Sequence, residues 1–219
     1  MKTKAALLSA LCLCLIAGAA RAEIIWDQSP AAVGGTIDPA TGRFTNTATN
    51  QNFSDRVTFS GAATLTGMDV YTRFQPGFVQ PAVGGSVTIR IHEGSPDGAL
   101  LQFVDTIDAI DTVGAGADAS VIRVHSEFNA PISLLAGTEY WIGMSGSGQS
   151  MGQLLLQGAA GPLIDNSAGR YDGLTFLGID NVEGDVAFRL QGSVPEPATI
   201  ALFGIGLVGL RFSRRKRAN

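Results

Sequence analysis

Residues 23–194 form a series of short runs in which apolar and polar residues alternate, separated by turns rich in Gly, Pro and Asp. No window here repeats apolar residues with the 3.6-residue period of a helix. Many short strands at this spacing are typical of an antiparallel sandwich or jelly roll. The sequence therefore predicts an all-β domain, an antiparallel β-sandwich or jelly roll. The runs are 56–60, 63–74, 86–93, 100–105, 120–128, 139–145, 153–157, 171–177 and 185–191.

Both histidines of the chain, His92 and His125, stand two residues after an arginine on a predicted strand. Successive side chains of a strand point to opposite faces, so each histidine shares a face with that arginine, away from the apolar residues. We therefore expect both to face solvent, without a metal or catalytic role. The predicted inner faces are Val87, Ile89 and Ile91 in one strand, and Ile122, Val124, Ser126 and Phe128 in the other.

Residues 1–22 have the three parts of a secretory signal peptide. Lys2 and Lys4 supply the positive start, an apolar stretch follows, and Ala20 and Ala22 satisfy the small-x-small cleavage rule. We predict export through the Sec translocon and cleavage after Ala22. The rival reading, a lipoprotein signal, requires a small residue before its cysteine, whereas leucine precedes both Cys12 and Cys14.

The segment 194–219 combines a short motif, an apolar run and a basic cluster. Pro195, Glu196 and Pro197 come first, and the apolar run 198–210 follows. A helix over this run would be about 20 Å long, shorter than the roughly 30 Å hydrocarbon core of a membrane. We predict a short hydrophobic helix with a cytoplasmic C-terminus, since positive residues stay inside. The basic cluster is Arg214, Arg215, Lys216 and Arg217.

This tripartite tail resembles the PEP-CTERM sorting signal of Gram-negative bacteria. The resemblance covers about the last 25 residues. It implies recognition by an exosortase-type membrane enzyme, removal of the tail near Pro195, Glu196 and Pro197, and transient anchoring in the inner membrane. The protein would then reach the cell surface or extracellular matrix. The alternatives are a permanent membrane anchor and a buried apolar helix.

Removing both ends leaves a strongly acidic domain at residues 23–193. Both cysteines lie in the predicted signal peptide, so the domain cannot form a disulfide. Residues 23–194 contain seven arginines, no lysine and 18 acidic residues, a formal charge of −11. Such a charge repels nucleic acid. We therefore expect no nucleic-acid partner.

A loop near the end of the domain is the candidate calcium site. It contains four oxygen-bearing side chains between glycines, and Ca²⁺ prefers oxygen ligands. The pattern does not match an EF-hand, and such loops are also ordinary turns. Calcium is the only cofactor candidate. The four residues are Asp180, Asn181, Glu183 and Asp185.

Tyr140 and Trp141 are the candidate carbohydrate-binding residues, since β-sandwiches bind sugars through exposed aromatic rings. Alternation puts Tyr140 with Ile142 on one face of a strand and Trp141 on the other. Aromatic residues make up only 7% of the chain, and most aromatic residues pack in cores. An extracellular polysaccharide is the corresponding candidate partner.

The sequence has few of the parts that nucleophilic catalysis requires. The predicted mature domain has no cysteine, and the chain has no Gly-Lys-Ser/Thr phosphate-binding loop. We therefore expect a non-enzymatic protein. The resemblance implies a structural or adhesive role in a biofilm or exopolysaccharide context. The alternative is a carbohydrate-binding or glycan-processing module displayed by the same route.

Overall fold

The computed structural model describes residues 23–29, 43–46, 51–73, 80–113, 121–146, 150–154, 167–172, 174–181 and 186–195. Within these ranges the regular structure is β-strand throughout. The strands are β1 (Glu23–Gln28), β2 (Arg43–Asn46), β3 (Gln51–Thr58), β4 (Ala63–Arg73), β5 (Ser86–Glu93), β6 (Ala99–Thr106), β7 (Ala109–Thr112), β8 (Val121–Leu134), β9 (Glu139–Gly146), β10 (Ser150–Leu154), β11 (Ser167–Asp172), β12 (Thr175–Asn181) and β13 (Phe188–Ser193).

The strands form two antiparallel layers, which confirms the predicted all-β sandwich. Sheet I has the order β1-β13-β4-β8-β7, and sheet II has the order β12-β11-β3-β9-β5-β6. Strands β10 and β2 link the sheets by pairing with β4 and β3 respectively. Every strand pair in the described part of the chain is antiparallel.

The hydrophobic core lies between the two sheets. Alternation along each strand sends every second side chain inward, and the inward residues are mostly branched or aromatic. Val87, Ile89 and Ile91 of β5 belong to this core, as predicted. Sheet I contributes Trp26, Leu65, Met68, Val70, Val124, Phe128, Leu134, Phe188 and Leu190, and sheet II also contributes Phe53, Val57, Tyr140, Ile142 and Met144.

Irregularities in β4 and β13 keep the inward pattern in phase. The pairing of β4 with β8 shifts register between Leu65 and Gly67, so that Leu65 and Met68 both reach the core. The pairing of β13 with β4 shifts between Gln191 and Gly192. A Cβ atom on Gly192 would lie 1.9 Å from the carbonyl oxygen of Thr64. Only glycine therefore allows the close approach of the two strands here.

A buried polar link also joins the sheets. Asp55 of β3 points inward, and its Oδ2 atom accepts hydrogen bonds from the backbone N–H of Val186 at 2.6 Å and from Nε2 of Gln28 at 3.4 Å. The Nε1–H of Trp26 in turn donates to Oε1 of Gln28. A buried carboxylate is tolerated only when such donors surround it. This link connects β1 and the segment just before β13 to β3.

The predicted signal peptide, and the predicted apolar helix with its basic cluster, lie outside the described residues. Among the described residues there is no helix of the length and hydropathy needed to cross a membrane.

Candidate functional site

A row of alternating charge crosses the outer face of sheet I, the face turned away from the core. Asp27 pairs with Arg189, and Arg189 pairs with Asp69. Asp69 in turn pairs with His125. Opposite charges on directly opposed strand residues stabilise a sheet by roughly 0.2–1 kcal/mol a pair. We call these four residues the charged row; they lie on β1, β13, β4 and β8, which are neighbours in that order.

Asp69 and His125 form the centre of the charged row. Nδ1 of His125 lies 2.7 Å from Oδ1 of Asp69, and Nε2 of Gln191 donates to the same oxygen at 3.3 Å. The side chain of Asp69 is 2% exposed and that of His125 is 18% exposed. The hydrogen bond to Asp69 raises the pKa of His125 above its ordinary value, although burial acts in the opposite direction. The site therefore favours a protonated imidazole.

Two arginines extend this network. Arg123 of β8 donates from Nε to Oδ2 of Asp111 at 3.2 Å and places Nη1 3.9 Å from Asp69. Arg189 donates from Nε to Oδ1 of Asp27 at 3.1 Å, and its guanidinium carbon lies 5.6 Å from the centre of the Tyr71 ring. Burial raises the pKa of Tyr71 to about 12. Tyr71 therefore stays protonated, and its ring supports the cation above it.

The outer face of sheet II is covered by Tyr171, which stands on the hairpin of β11 and β12. β11 continues the sheet by pairing with the first half of β3. The Tyr171 hydroxyl donates to the carbonyl oxygen of Pro96 at 2.7 Å and lies 2.9 Å from Oγ of Ser54. Burial raises the pKa of Tyr171 to about 12. The hairpin is thus tied to the β5–β6 loop across the face of the sheet.

His92 and Arg90 lie beneath this cover, so the prediction that their face of β5 is exposed to solvent is wrong. The His92 ring stacks on Tyr171 with centroids 5.0 Å apart, and the guanidinium carbon of Arg90 lies 6.0 Å from the same ring centre. Thr88 on that face is buried as well. The alternation of β5 is as predicted, but the ring of Tyr171 covers its polar side. Burial lowers the pKa of His92 and of Arg90.

Tyr140 and Trp141, the candidate sugar-binding pair, are each 4% exposed. Tyr140 and Ile142 share one face of β9, as the alternation predicts, and the structure shows that this face is turned to the core. Trp141 lies on the other face between Arg56 and His92. The Tyr140 hydroxyl accepts the backbone N–H of Leu135 at 3.0 Å, and Nε1 of Trp141 donates to Oε1 of Glu139 at 2.8 Å. Carbohydrate binding by this pair stays a prediction, and a sugar would need a rearrangement to reach either ring.

The candidate calcium residues fall at the end of β12 and beyond it. Asp180 and Asn181 pair with Ala168 and Ser167 of β11. Their side chains, and the whole of Glu183 and Asp185, lie outside what the structure describes. Among the described residues, no three acidic, histidine or cysteine side chains are grouped as for a metal ion. Calcium binding stays a prediction.

The sorting segment begins where the last strand ends. β13 ends at Ser193, and Val194 and Pro195 follow as exposed residues without regular structure. Outside the described residues lie Glu196 and Pro197 of the motif, the basic residues Arg214, Arg215, Lys216 and Arg217, and the signal cleavage residues Ala20 and Ala22.

Residues 193–217 match the family model of the PEP-CTERM protein-sorting motif. The chain carries a PEP-CTERM sorting motif. A PEP-CTERM motif implies an exported protein that is transiently anchored in the membrane at its C-terminus and processed by an exosortase membrane enzyme. No curated protein matches the chain in sequence. The PEP-CTERM match covers only the tail, so it indicates how the protein is exported and processed. It carries no information about the function of the sandwich.

The sequence pattern did not predict two features of the sandwich, the charged row and the cover formed by Tyr171. Alternation could have placed Asp69 and Arg189 on outward faces, because each neighbours core residues in its strand. Their contact depends on which strands are adjacent and in which register, and no motif in the sequence records this.

Proposed function

We propose that the mature domain is a non-enzymatic structural or adhesive protein of the cell surface or extracellular matrix, in a biofilm or exopolysaccharide context. The observation that carries this proposal is the junction at Ser193, where the sorting motif begins at the last residue of the last strand. Every strand that the structure describes precedes the tail. Removal of the tail would therefore release or display the intact domain.

The chemistry of the surface supports a structural role. On the outer face of sheet I, Asp69 and His125 are held by each other and by Gln191. Arg189 is likewise held by Asp27. Side chains bound in this way stabilise the sheet. The formal charge of −11 on residues 23–194 favours solubility outside the cell and repulsion from nucleic acid.

The test of this role compares attachment by cells that produce different forms of the chain. A strain without the gene would be complemented with the full chain or with a chain ending at Ser193. We expect the full chain to restore attachment and matrix retention, and the shortened chain to be exported without being retained. Equal attachment by cells with and without the gene would contradict the adhesive role.

Incubation with polysaccharide separates this proposal from the alternative. Processed protein collected from the cell surface would be mixed with purified exopolysaccharide, and the release of reducing ends would be measured. We expect none above that from heat-unfolded protein. Steady release would instead support the glycan-processing module. Retention on the polysaccharide without cleavage would support the carbohydrate-binding module.

A further inference from the structure

Four strand ends of sheet I meet at the place where the PEP-CTERM tail leaves the domain. Glu23, the first residue of β1, pairs with Gly192, and Ser193 pairs with Thr64 near the start of β4. Ala63 pairs with Leu134 at the end of β8. The beginning of β1, the end of β13 and the turn after β8 therefore share one end of the sandwich.

This end carries exposed apolar side chains. Ile24 is 46% exposed, Leu135 is 60% exposed and Val194 is 40% exposed. Val194 lies against the turn before β4, because a Cβ atom on Gly61 would be 3.4 Å from its Cγ1 atom. We call Ile24, Gly61, Leu135 and Val194 the exit surface. Its apolar character contrasts with the acidic composition of the domain as a whole.

The distance from the exit surface to the sorting motif is short. Pro197 is four residues beyond Ser193 in the sequence, and four extended residues span at most about 14 Å. A single helix with its side chains is about 10–12 Å across. An enzyme that holds residues 195–197 in a cleft needs at least one helix or strand on the side of the cleft that faces the sandwich. Such an element would occupy most of the space between the sandwich and Pro197. An enzyme that cuts there would therefore lie next to the end of the sandwich that carries the exit surface.

We propose that the exit surface docks on the membrane enzyme that removes the tail. This inference rests on the processing that the sorting motif implies and is independent of the adhesive role. Ile24, Leu135 and Val194 would be buried against an apolar patch on the enzyme, and burial of apolar area stabilises the encounter. The enzyme is favoured over the lipid surface because a domain with a formal charge of −11 is repelled by anionic headgroups.

The first experiment measures the rate of tail removal in cells by pulse labelling and mass spectrometry of the full chain. The variant I24S/L135S should be processed about tenfold more slowly than the unsubstituted chain, since two apolar contacts with the enzyme are lost. The matched control is V104S/L177S, which replaces two residues at least half exposed on β6 and β12, in sheet II. This control should be processed at the unsubstituted rate.

The second experiment tests whether the short distance between Ser193 and the sorting motif brings the exit surface into contact with the enzyme. About ten flexible Gly and Ser residues inserted between Ser193 and Val194 would add roughly 17 Å of average reach. The enzyme could then cut without meeting the sandwich. With this insertion, I24S/L135S and the chain with Ile24 and Leu135 should be processed at rates within about twofold of each other.

Equal rates for I24S/L135S and the unsubstituted chain at the native spacing would overturn the docking proposal while leaving the sorting function intact. Binding of the processed protein to phosphatidylethanolamine and phosphatidylglycerol vesicles, abolished by I24S/L135S, would assign the surface to lipid and overturn the proposal too. If the unsubstituted chain kept its tail in cells that contain the enzyme, the processing itself and the docking with it would both fail. Comparable thermal unfolding of all variants controls for loss of the fold.

Discussion

The two histidines occupy opposite environments although their local sequences are alike. Each follows an arginine by two residues on a β-strand and points away from the core. His125 on sheet I is bound to Asp69, and its pKa is raised. His92 on sheet II lies under the ring of Tyr171, and its pKa is lowered by burial. The same local pattern therefore supports opposite charge states.

The pKa values of the two histidines differ because different groups surround each ring. On sheet I, a neighbouring strand supplies the carboxylate of Asp69, and the hydrogen bond to it favours the protonated form of His125. On sheet II, the β11–β12 hairpin supplies an aromatic ring, and removal of water favours the neutral imidazole. The alternation of a strand decides which side a residue faces. The neighbours that it meets there decide its chemistry.

Removing the cover of sheet II should have the largest effect on stability. Tyr171→Ala deletes a fully buried ring that contacts His92 and Phe176. We expect a loss of about 3–5 kcal/mol in the free energy of unfolding, measured by urea denaturation. Tyr171→Phe is the control, because it keeps the ring and removes only the bonds to Ser54 and Pro96. Its cost should be about 1–2 kcal/mol, and equal costs for the two variants would contradict the covering role.

A substitution at the centre of the charged row should have the second largest effect on stability. Asp69→Asn keeps the shape of the side chain and removes the charge that faces His125. We expect a loss of about 2 kcal/mol at pH 6, because hydrogen bonds between charged groups in a buried site contribute roughly 1.5–3 kcal/mol each. The loss should be smaller at pH 8.5, where the imidazole is increasingly neutral. A loss that does not change with pH would show that the pair is not ionised.

His125 should make the domain more stable as the pH falls. Its folded pKa is above the ordinary 6.5, mainly through the hydrogen bond that its ring donates to Asp69. The contribution is fully present below about pH 6.5 and is lost as the pH rises through the folded pKa. Unfolding free energies from pH 5.5 to 8.5 for the unsubstituted domain and His125→Gln should therefore diverge on acidification. Parallel curves would show that the ion pair of His125 with Asp69 does not stabilise the domain.

His92 should make the domain less stable as the pH falls, the opposite of the effect of His125. Its folded pKa is below 6.5 because the ring is buried. The unfolded chain therefore takes up the proton first, and the domain loses stability as the pH falls from about 6.5 towards the folded pKa. The stability of the unsubstituted domain relative to His92→Gln should decrease over this range. An imidazole resonance of His92 that titrates above 6.5 in an NMR experiment would contradict the burial seen here.

Asp27, at the end of the charged row, should contribute least to the stability of the domain. Asp27 pairs with Arg189, but its side chain is 46% exposed, so solvent screens the interaction. Asp27→Asn should cost about 0.5 kcal/mol, and the cost should fall further in 0.5 M salt. The comparison with Asp69→Asn is informative, because both residues belong to the same row and differ in burial. Equal costs would mean that burial does not set the strength of these pairs.

Much of the fold follows from local alternation. The run around Val87, Ile89 and Ile91 predicted a strand and its inward face, and the structure confirms both. The run around Tyr140 and Ile142 predicted a strand with these two residues on one face, which the structure also confirms. The tail was recognisable because its motif is contiguous, and the family match bears this out. The burial of His92 was not predictable in this way, since it depends on a tyrosine from a distant hairpin.

The sequence by itself determined the strand pattern, the acidity of the domain and the sorting motif, because each is a property of neighbouring residues or of composition. Only the tertiary structure decided that Asp27, Arg189, Asp69 and His125 form one row, and that the start of β1, the end of β13 and the turn after β8 meet where the tail leaves. The physical reason is that strand order and register bring together residues far apart in the chain. A shift of one residue would turn every one of those side chains to the other face.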